Sequence, residues 1–140
     1  MRSPPSLPGS PLTPEDRALV RAAAGLLRRR YLAERHTVAA AVRTRSGAVF
    51  LGVNVGGIHT PCAEPVAIGA AITAGDPRLE TMVAVHREGR SYPVLAPCGT
   101  CRQLLFDYAP RAHVLVPVGA AGVRRLRADA ALPAAYSSFE

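Results

Sequence analysis

With 140 residues, 49% of them apolar and only 19% charged, the chain has the length of one domain and enough apolar material to bury a core. No stretch approaches the roughly 18 apolar residues needed to span a bilayer, and Met1 to Pro11 holds no apolar core of a secretory signal, so a cytoplasmic protein without a membrane partner is expected. A net charge of +7 would suit a nucleic-acid binder, but the arginines are scattered and aromatics make up 5%, too few to stack bases, so nucleic acid is not the expected partner.

Residues 1–12 carry Pro4, Pro5, Pro8 and Pro11 among Ser and Gly and read as an extended arm, with residues 13–140 as a single domain. Thr13-Pro14-Glu15-Asp16 is a helix start, with an N-cap, a proline at the first helical position and acids in the first turn. Leu19, Ala23, Leu26 and Leu27 then form one apolar stripe. Tyr31 is read as packing, and the Arg28-Arg29-Arg30 and Arg124-Arg125 clusters as solvated surface, with phosphate binding as the alternative. Val38–Val42 and Val49–Val55 are β-type runs around a Ser46-Gly47 turn. Cys62–Ala74 is nearly all apolar after Glu64 and ends at Gly75, a buried helix. Met82–Val85 is a short strand. Cys98–Ala109 is a further helix, with Leu104, Leu105 and Tyr108 on one side and Pro110 at its end. Val114–Val118 and Val123–Leu126 are further strands, and Asp129–Leu132 a last helical turn. The order predicts an α/β fold, a three-layer α/β/α sandwich around a mixed, about five-stranded sheet.

The three cysteines fall in two short motifs, Pro61-Cys62-Ala63-Glu64 and Pro97-Cys98-Gly99-Thr100-Cys101. An odd number argues against a disulfide framework. Each motif opens a helix, where free N–H groups and partial positive charge favour the thiolate that zinc requires. Three protein sulfurs on a tetrahedral ion leave a fourth position for water, which then ionises near neutral pH. Glu64, in the same first turn as Cys62, can reach that position and carry protons. A structural zinc knuckle and a redox Cys-x-x-Cys are the alternatives. Neither has a use for Glu64, and a structural site normally fills all four positions.

Cys62-Ala63-Glu64 with Pro97-Cys98-x-x-Cys101-Arg102-Gln103 resembles the cytidine deaminase family. The likeness runs over about residues 13–136, from the first helix through Gly52-Val53-Asn54-Val55 to Leu132-Pro133-Ala134-Ala135-Tyr136. It implies one zinc ion per subunit on Cys62, Cys98 and Cys101, with Glu64 as proton shuttle in hydrolytic deamination of a small nucleoside-like substrate. By the same resemblance Asn54 contacts a sugar hydroxyl, and the backbone at Ala63 and Ala96 meets the amide edge of the pyrimidine. Arg102 would hydrogen bond to sulfur and offset the thiolate charge, and the subunits would form a homotetramer.

The chain departs from ordinary cytidine deaminases at three places. Gly56 stands where they carry a glutamate that holds the ribose, Pro65 stands where they usually place arginine, and the segment from Asn54 to Cys62 is shorter. The blasticidin S deaminase branch shares Gly-Val-Asn-Val, lacks that glutamate, and ends in Leu-Pro-x-x-Tyr followed by an aromatic. Tyr136 and Phe139 match that ending, where an aromatic would stack on the base. His59, three residues before Cys62, borders the expected pocket and is a candidate substrate contact.

Overall fold

The computed structural model describes residues 7–137. Helix α1 (Pro14–Arg30) starts on a reciprocal cap. Thr13 Oγ1 accepts from the Asp16 N–H at 3.1 Å, and the Asp16 carboxylate accepts from the Thr13 N–H at 3.0 Å. Leu19, Ala23 and Leu27 are buried as the stripe predicts, while Leu26 is half-buried.

After α1 come β1 (Val38–Thr44), β2 (Val49–Val53), α2 (Ala63–Thr73), β3 (Leu79–His86), β4 (Val94–Leu95), α3 (Gly99–Tyr108), β5 (His113–Pro117) and β6 (Val123–Arg127). The sheet runs β2-β1-β3-β5-β6, and β4 adds a short pairing with β3. Strands β3 and β5 are parallel, and the other pairs are antiparallel. The sequence reading missed β4, because two residues are too few to show an alternation. The Asp129–Leu132 segment forms hydrogen-bonded turns and bends in place of the expected helical turn.

Period-two alternation divides the core in two. Ala39, Ala41, Val83, Val85 and Leu115 face α1, with Leu19, Ala23 and Leu27. Their neighbours Ala40, Val42, Met82, Ala84, Val114 and Val116 face the other way, packed with Ala67, Ile68 and Ala71 of α2 and Leu105 of α3. Helices therefore cover both faces. The small residues of β1 let α2 sit close, and Gly52 of β2 is the tightest point. A Cβ there would lie 2.6 Å from the Ala67 backbone nitrogen and 2.8 Å from Val66 Cβ.

Both β2-to-β3 and β3-to-β5 are crossovers between strands of the same direction, and both crossover helices lie on one face. This brings the N-termini of α2 and α3 to the same end of the sheet.

A buried ion-pair network ties α1 to the sheet. Asp16, fully buried, accepts from Arg43 Nη2 of β1 at 3.0 Å, and Arg43 also donates to Glu80 and Thr81. Arg125 Nε stands 3.0 Å from the other Asp16 oxygen, close enough to pair but misaligned for a hydrogen bond. Arg124 donates to the carbonyls of Pro8 and Gly9, while Ser10 and Arg125 exchange backbone hydrogen bonds. Arg124 and Arg125 are thus structural rather than solvated surface, and residues 8–10 of the proline-rich segment lie along β6. Tyr31 follows α1, and its ring carries the Arg87 guanidinium at 4.4 Å.

Candidate metal centre and active-site cavity

Cys62 and Cys98 are the N-cap residues of α2 and α3, and Cys101 lies in the first turn of α3. The Sγ atoms of Cys62 and Cys98 are 3.7 Å apart and those of Cys98 and Cys101 3.4 Å, and all three lie within 4.8 Å of one another. A tetrahedral zinc with bonds of about 2.3 Å spaces its sulfurs by about 3.8 Å. The trio is therefore already close to a zinc-binding geometry. Among the described residues it is the one group of three or more Cys, His, Asp or Glu side chains so placed.

The thiols differ in acidity. At Cys98, burial opposes ionisation but is outweighed by hydrogen bonds from the Cys101 N–H and the two neighbouring thiols, so its pKa falls below the ordinary value. Burial pushes the Cys62 thiol up, and the presence of Cys98 and Glu64 adds to this. Burial raises Cys101 furthest, again with the Glu64 carboxylate contributing. The expectation that both helix starts lower their thiols thus holds for Cys98 alone, since the Cys62 side chain makes no cap hydrogen bond. Three ionised sulfurs beside a carboxylate require a cation among them.

Cys62 and Cys98 border a cavity of about 180 Å³. Asn54, Ala63, Glu64 and Ala96 line it as the sequence reading placed them. Val38, Thr60 and Leu95 also line it and were not foreseen: Val38 reads as an ordinary strand residue, and Leu95 belongs to the unrecognised β4. Glu64 is 4% exposed.

Asn54 is oriented by the start of β1. Its Oδ1 accepts from the N–H groups of Thr37 at 2.8 Å and Val38 at 3.0 Å, so Nδ2 is the end left to donate, and one of its protons goes to Thr37 Oγ1 at 3.3 Å. His36 Nδ1 lies 2.9 Å from the Asn54 carbonyl.

Several expected contacts fall elsewhere. Arg102 sends its hydrogen bonds to the carbonyls of Pro97 at 2.9 Å and Ala131 at 3.0 Å rather than to a sulfur. It thereby braces the loop that presents Cys98. His59 is exposed and does not line the cavity. Tyr136 is 76% exposed, with its carbonyl held by Gln103 Nε2 at 2.9 Å, and its side chain is likewise outside the lining. Phe139 lies outside the described residues.

The model of the cytidine and deoxycytidylate deaminase zinc-binding region matches residues 13–117. The chain belongs to this family. It is a zinc-dependent hydrolytic deaminase, with Cys62, Cys98 and Cys101 fitted to hold the metal. A blasticidin-S deaminase from Bacillus cereus is 37% identical over 113 residues, covering 75% of this chain and 81% of the relative. The solved cytidine deaminase of Burkholderia pseudomallei is 31% identical, superposes with a TM-score of 0.70, and is matched over 86% of this chain and 98% of its own. That of Bacillus anthracis, at 22% identity, shares the fold with a TM-score of 0.74 over 86% of this chain and 88% of its own.

The departure at Gly56 has a structural cause. The turn at 32–36 closes on itself through hydrogen bonds between Leu32 and His36, with Glu34 at a φ of 67°. Arg35 then binds the 56 position from both sides of the peptide: its carbonyl accepts from the Gly56 N–H at 2.9 Å, and its Nη1 donates to the Gly56 carbonyl at 2.8 Å. A Cβ at Gly56 would lie 2.6 Å from the Glu34 carbonyl oxygen and 2.8 Å from Arg35 Cα. Backbone occupies the space a side chain would need.

Proposed function

We propose that the chain deaminates a cytosine nucleoside or cytosine-like heterocycle, as its blasticidin-S deaminase relative does with its own substrate, releasing ammonia and leaving a carbonyl. The observation that carries the reading is a cluster of three sulfurs, two of which, Cys62 and Cys98, line one cavity together with the buried Glu64. When bound at the sulfurs, zinc supplies an activated water. Replacing an amine by a carbonyl requires one proton at the ring nitrogen and one at the departing nitrogen, and Glu64 carries both from the water side. Its burial excludes competing solvent protons. Asn54 donates from Nδ2 to a sugar oxygen, because Oδ1 is already engaged. The backbone at Ala63 and Ala96 meets the amide edge of the heterocycle.

Gly56 supports a substrate other than plain cytidine. The backbone of 34–35 fills the place of the ribose-holding glutamate, so the sugar is gripped less on that side. Ordinary cytidine or deoxycytidine salvage is the second reading, supported by the solved neighbours. The exposed Leu32, Val55 and Ile58 around this loop support association of subunits, read here as a cytoplasmic homotetramer. No helix among the described residues is long and apolar enough to cross a membrane.

An ammonia-release assay with zinc-loaded protein separates the readings, with blasticidin S, cytidine, deoxycytidine and cytosine as substrates. Highest kcat/KM on blasticidin S supports the first, and highest on cytidine the second. Glu64→Gln should keep stoichiometric zinc and lose activity by about 10²- to 10⁴-fold. Full activity in that variant overturns the mechanism.

A further inference from the structure

Three arginines meet at the far end of the sheet from the thiolates. Val38, at the start of β1, lines the first cavity, whereas Arg45 follows the end of that strand and lines a second cavity of about 300 Å³. At about 3.3 Å per residue, the seven residues of β1 put roughly 20 Å between the two. Arg78, from the loop entering β3, and Arg111, from the turn between α3 and β5, line the same cavity.

The backbones that carry these arginines are pinned, but their guanidinium groups are not. The Arg45 N–H donates to the Arg78 carbonyl at 2.9 Å, and the Arg111 turn is held by Ala112 N–H to Ala109 O at 2.9 Å and Asp129 N–H to Pro110 O at 3.0 Å. Among the described residues, no carboxylate pairs with any of the three guanidinium groups, and none of them donates a hydrogen bond. Of the acids near this end of the sheet, Asp76 is taken up by the hydroxyls of Thr44 at 2.6 Å and Ser46 at 2.7 Å, Glu80 by Arg43 at 3.0 Å, Asp107 by Gln103 Nε2 at 2.8 Å and Asp129 by Arg127 at 2.6 Å. By contrast, Arg43, Arg102, Arg124 and Arg127 are all engaged. Tyr108 stands at the same cavity, 55% exposed, although its helical spacing places it beside the half-buried Leu104 and the buried Leu105.

We propose that this second cavity binds vicinal phosphates, either inorganic pyrophosphate or the phosphate tail of a nucleotide. Three unpaired guanidinium forks on fixed backbone suit a compact polyanion with many acceptor oxygens, since each fork binds two of them in parallel. The cavity lies at the lower end of ligand-sized pockets. The positive net charge steers anions towards the protein. The exposed Tyr108 ring offers a stacking face that only a nucleotide would use. The inference is independent of which amine the zinc site removes.

Isothermal titration of the full-length, zinc-loaded chain at about 0.15 M salt tests it, with pyrophosphate, ATP and adenosine as probes. Saturable binding of pyrophosphate and ATP, but not adenosine, is expected. The double variant Arg78→Gln/Arg111→Gln should weaken both ligands at least about tenfold, and the double lysine variant less, because a point charge replaces the fork. Deamination should be unchanged in both, which also reports that they fold. If ATP binds more tightly than pyrophosphate and Tyr108→Ala removes the difference, the nucleotide is the source; equal binding assigns pyrophosphate. Either supports the site. Absence of saturable binding, equal affinity in the glutamine variant, or binding of single-stranded oligonucleotide that pyrophosphate does not displace overturns it.

Discussion

Asp16→Ala is the most informative perturbation of the scaffold. Asp16 is fully buried and serves three partners: the Thr13 N–H at the cap, Arg43 at 3.0 Å and Arg125 at 3.0 Å. Removing it strands the Arg43 guanidinium, 10% exposed, with only the partly exposed Glu80 to balance it. Breaking a buried pair by deleting one partner typically costs about 3–5 kcal/mol, and the lost cap bond lies within that range rather than adding fully to it. Against a total stability of about 5–15 kcal/mol, this is at least about a fifth of the whole. The assay is urea unfolding of zinc-saturated protein at pH 7, followed by circular dichroism. The pH dependence supplies an independent check. Burial pulls the Asp16 pKa up, but the hydrogen bonds from Thr13 and Arg43 and the charge of Arg125 pull it further down, below 3.8. A lowered folded pKa means that the stabilisation is complete above the unfolded value and is lost as pH falls through the folded one. Wild type should therefore lose stability in acid more steeply than the variant. A loss under about 1 kcal/mol with an unchanged acid profile would refute a network that holds α1 to the sheet.

The site makes its own predictions. Gly56→Ala should destabilise by about 1–3 kcal/mol in the same unfolding assay, since the three atoms nearest the new Cβ are all backbone. Gly56→Glu should not improve kcat/KM for cytidine; a gain would show that the 34–35 backbone yields. Gly52→Ala should push α2 off β2, because the contact is with the Ala67 nitrogen and Val66. Both thermal stability and zinc retention should fall, as Cys62 and Glu64 ride on that helix. Cys98→Ser should lower the zinc content measured by atomic absorption and abolish ammonia release, and full occupancy would remove Cys98 from the ligand set.

Much of the fold was legible because its signals are local. The Thr13 helix start, the Leu19–Ala23–Leu27 stripe and each of the β runs lie within a single helix or a single strand. The exposure of Tyr108 was not legible, because periodicity reports a face, not what lies beyond it, and the end of α3 borders a cavity. Arg124 was misread because its partners, Pro8 and Gly9, stand more than 100 residues away. Arg102 was expected at the sulfurs by adjacency to Cys101, yet the helix turns its guanidinium back to Pro97 and Ala131.

The reaction chemistry needed only the sequence. Thiolates at two helix starts, with a glutamate in the first turn of the first, specify a metal ligand set and a proton carrier through residues close in the chain. The tertiary structure decided how these groups meet: two crossovers on one face of the sheet bring Cys62 and Cys98, 36 residues apart, to sulfurs 3.7 Å from each other. It also decided why position 56 is glycine. That reason lies in the Glu34–Arg35 backbone, about twenty residues earlier, and a steric exclusion between distant segments leaves no pattern in either one.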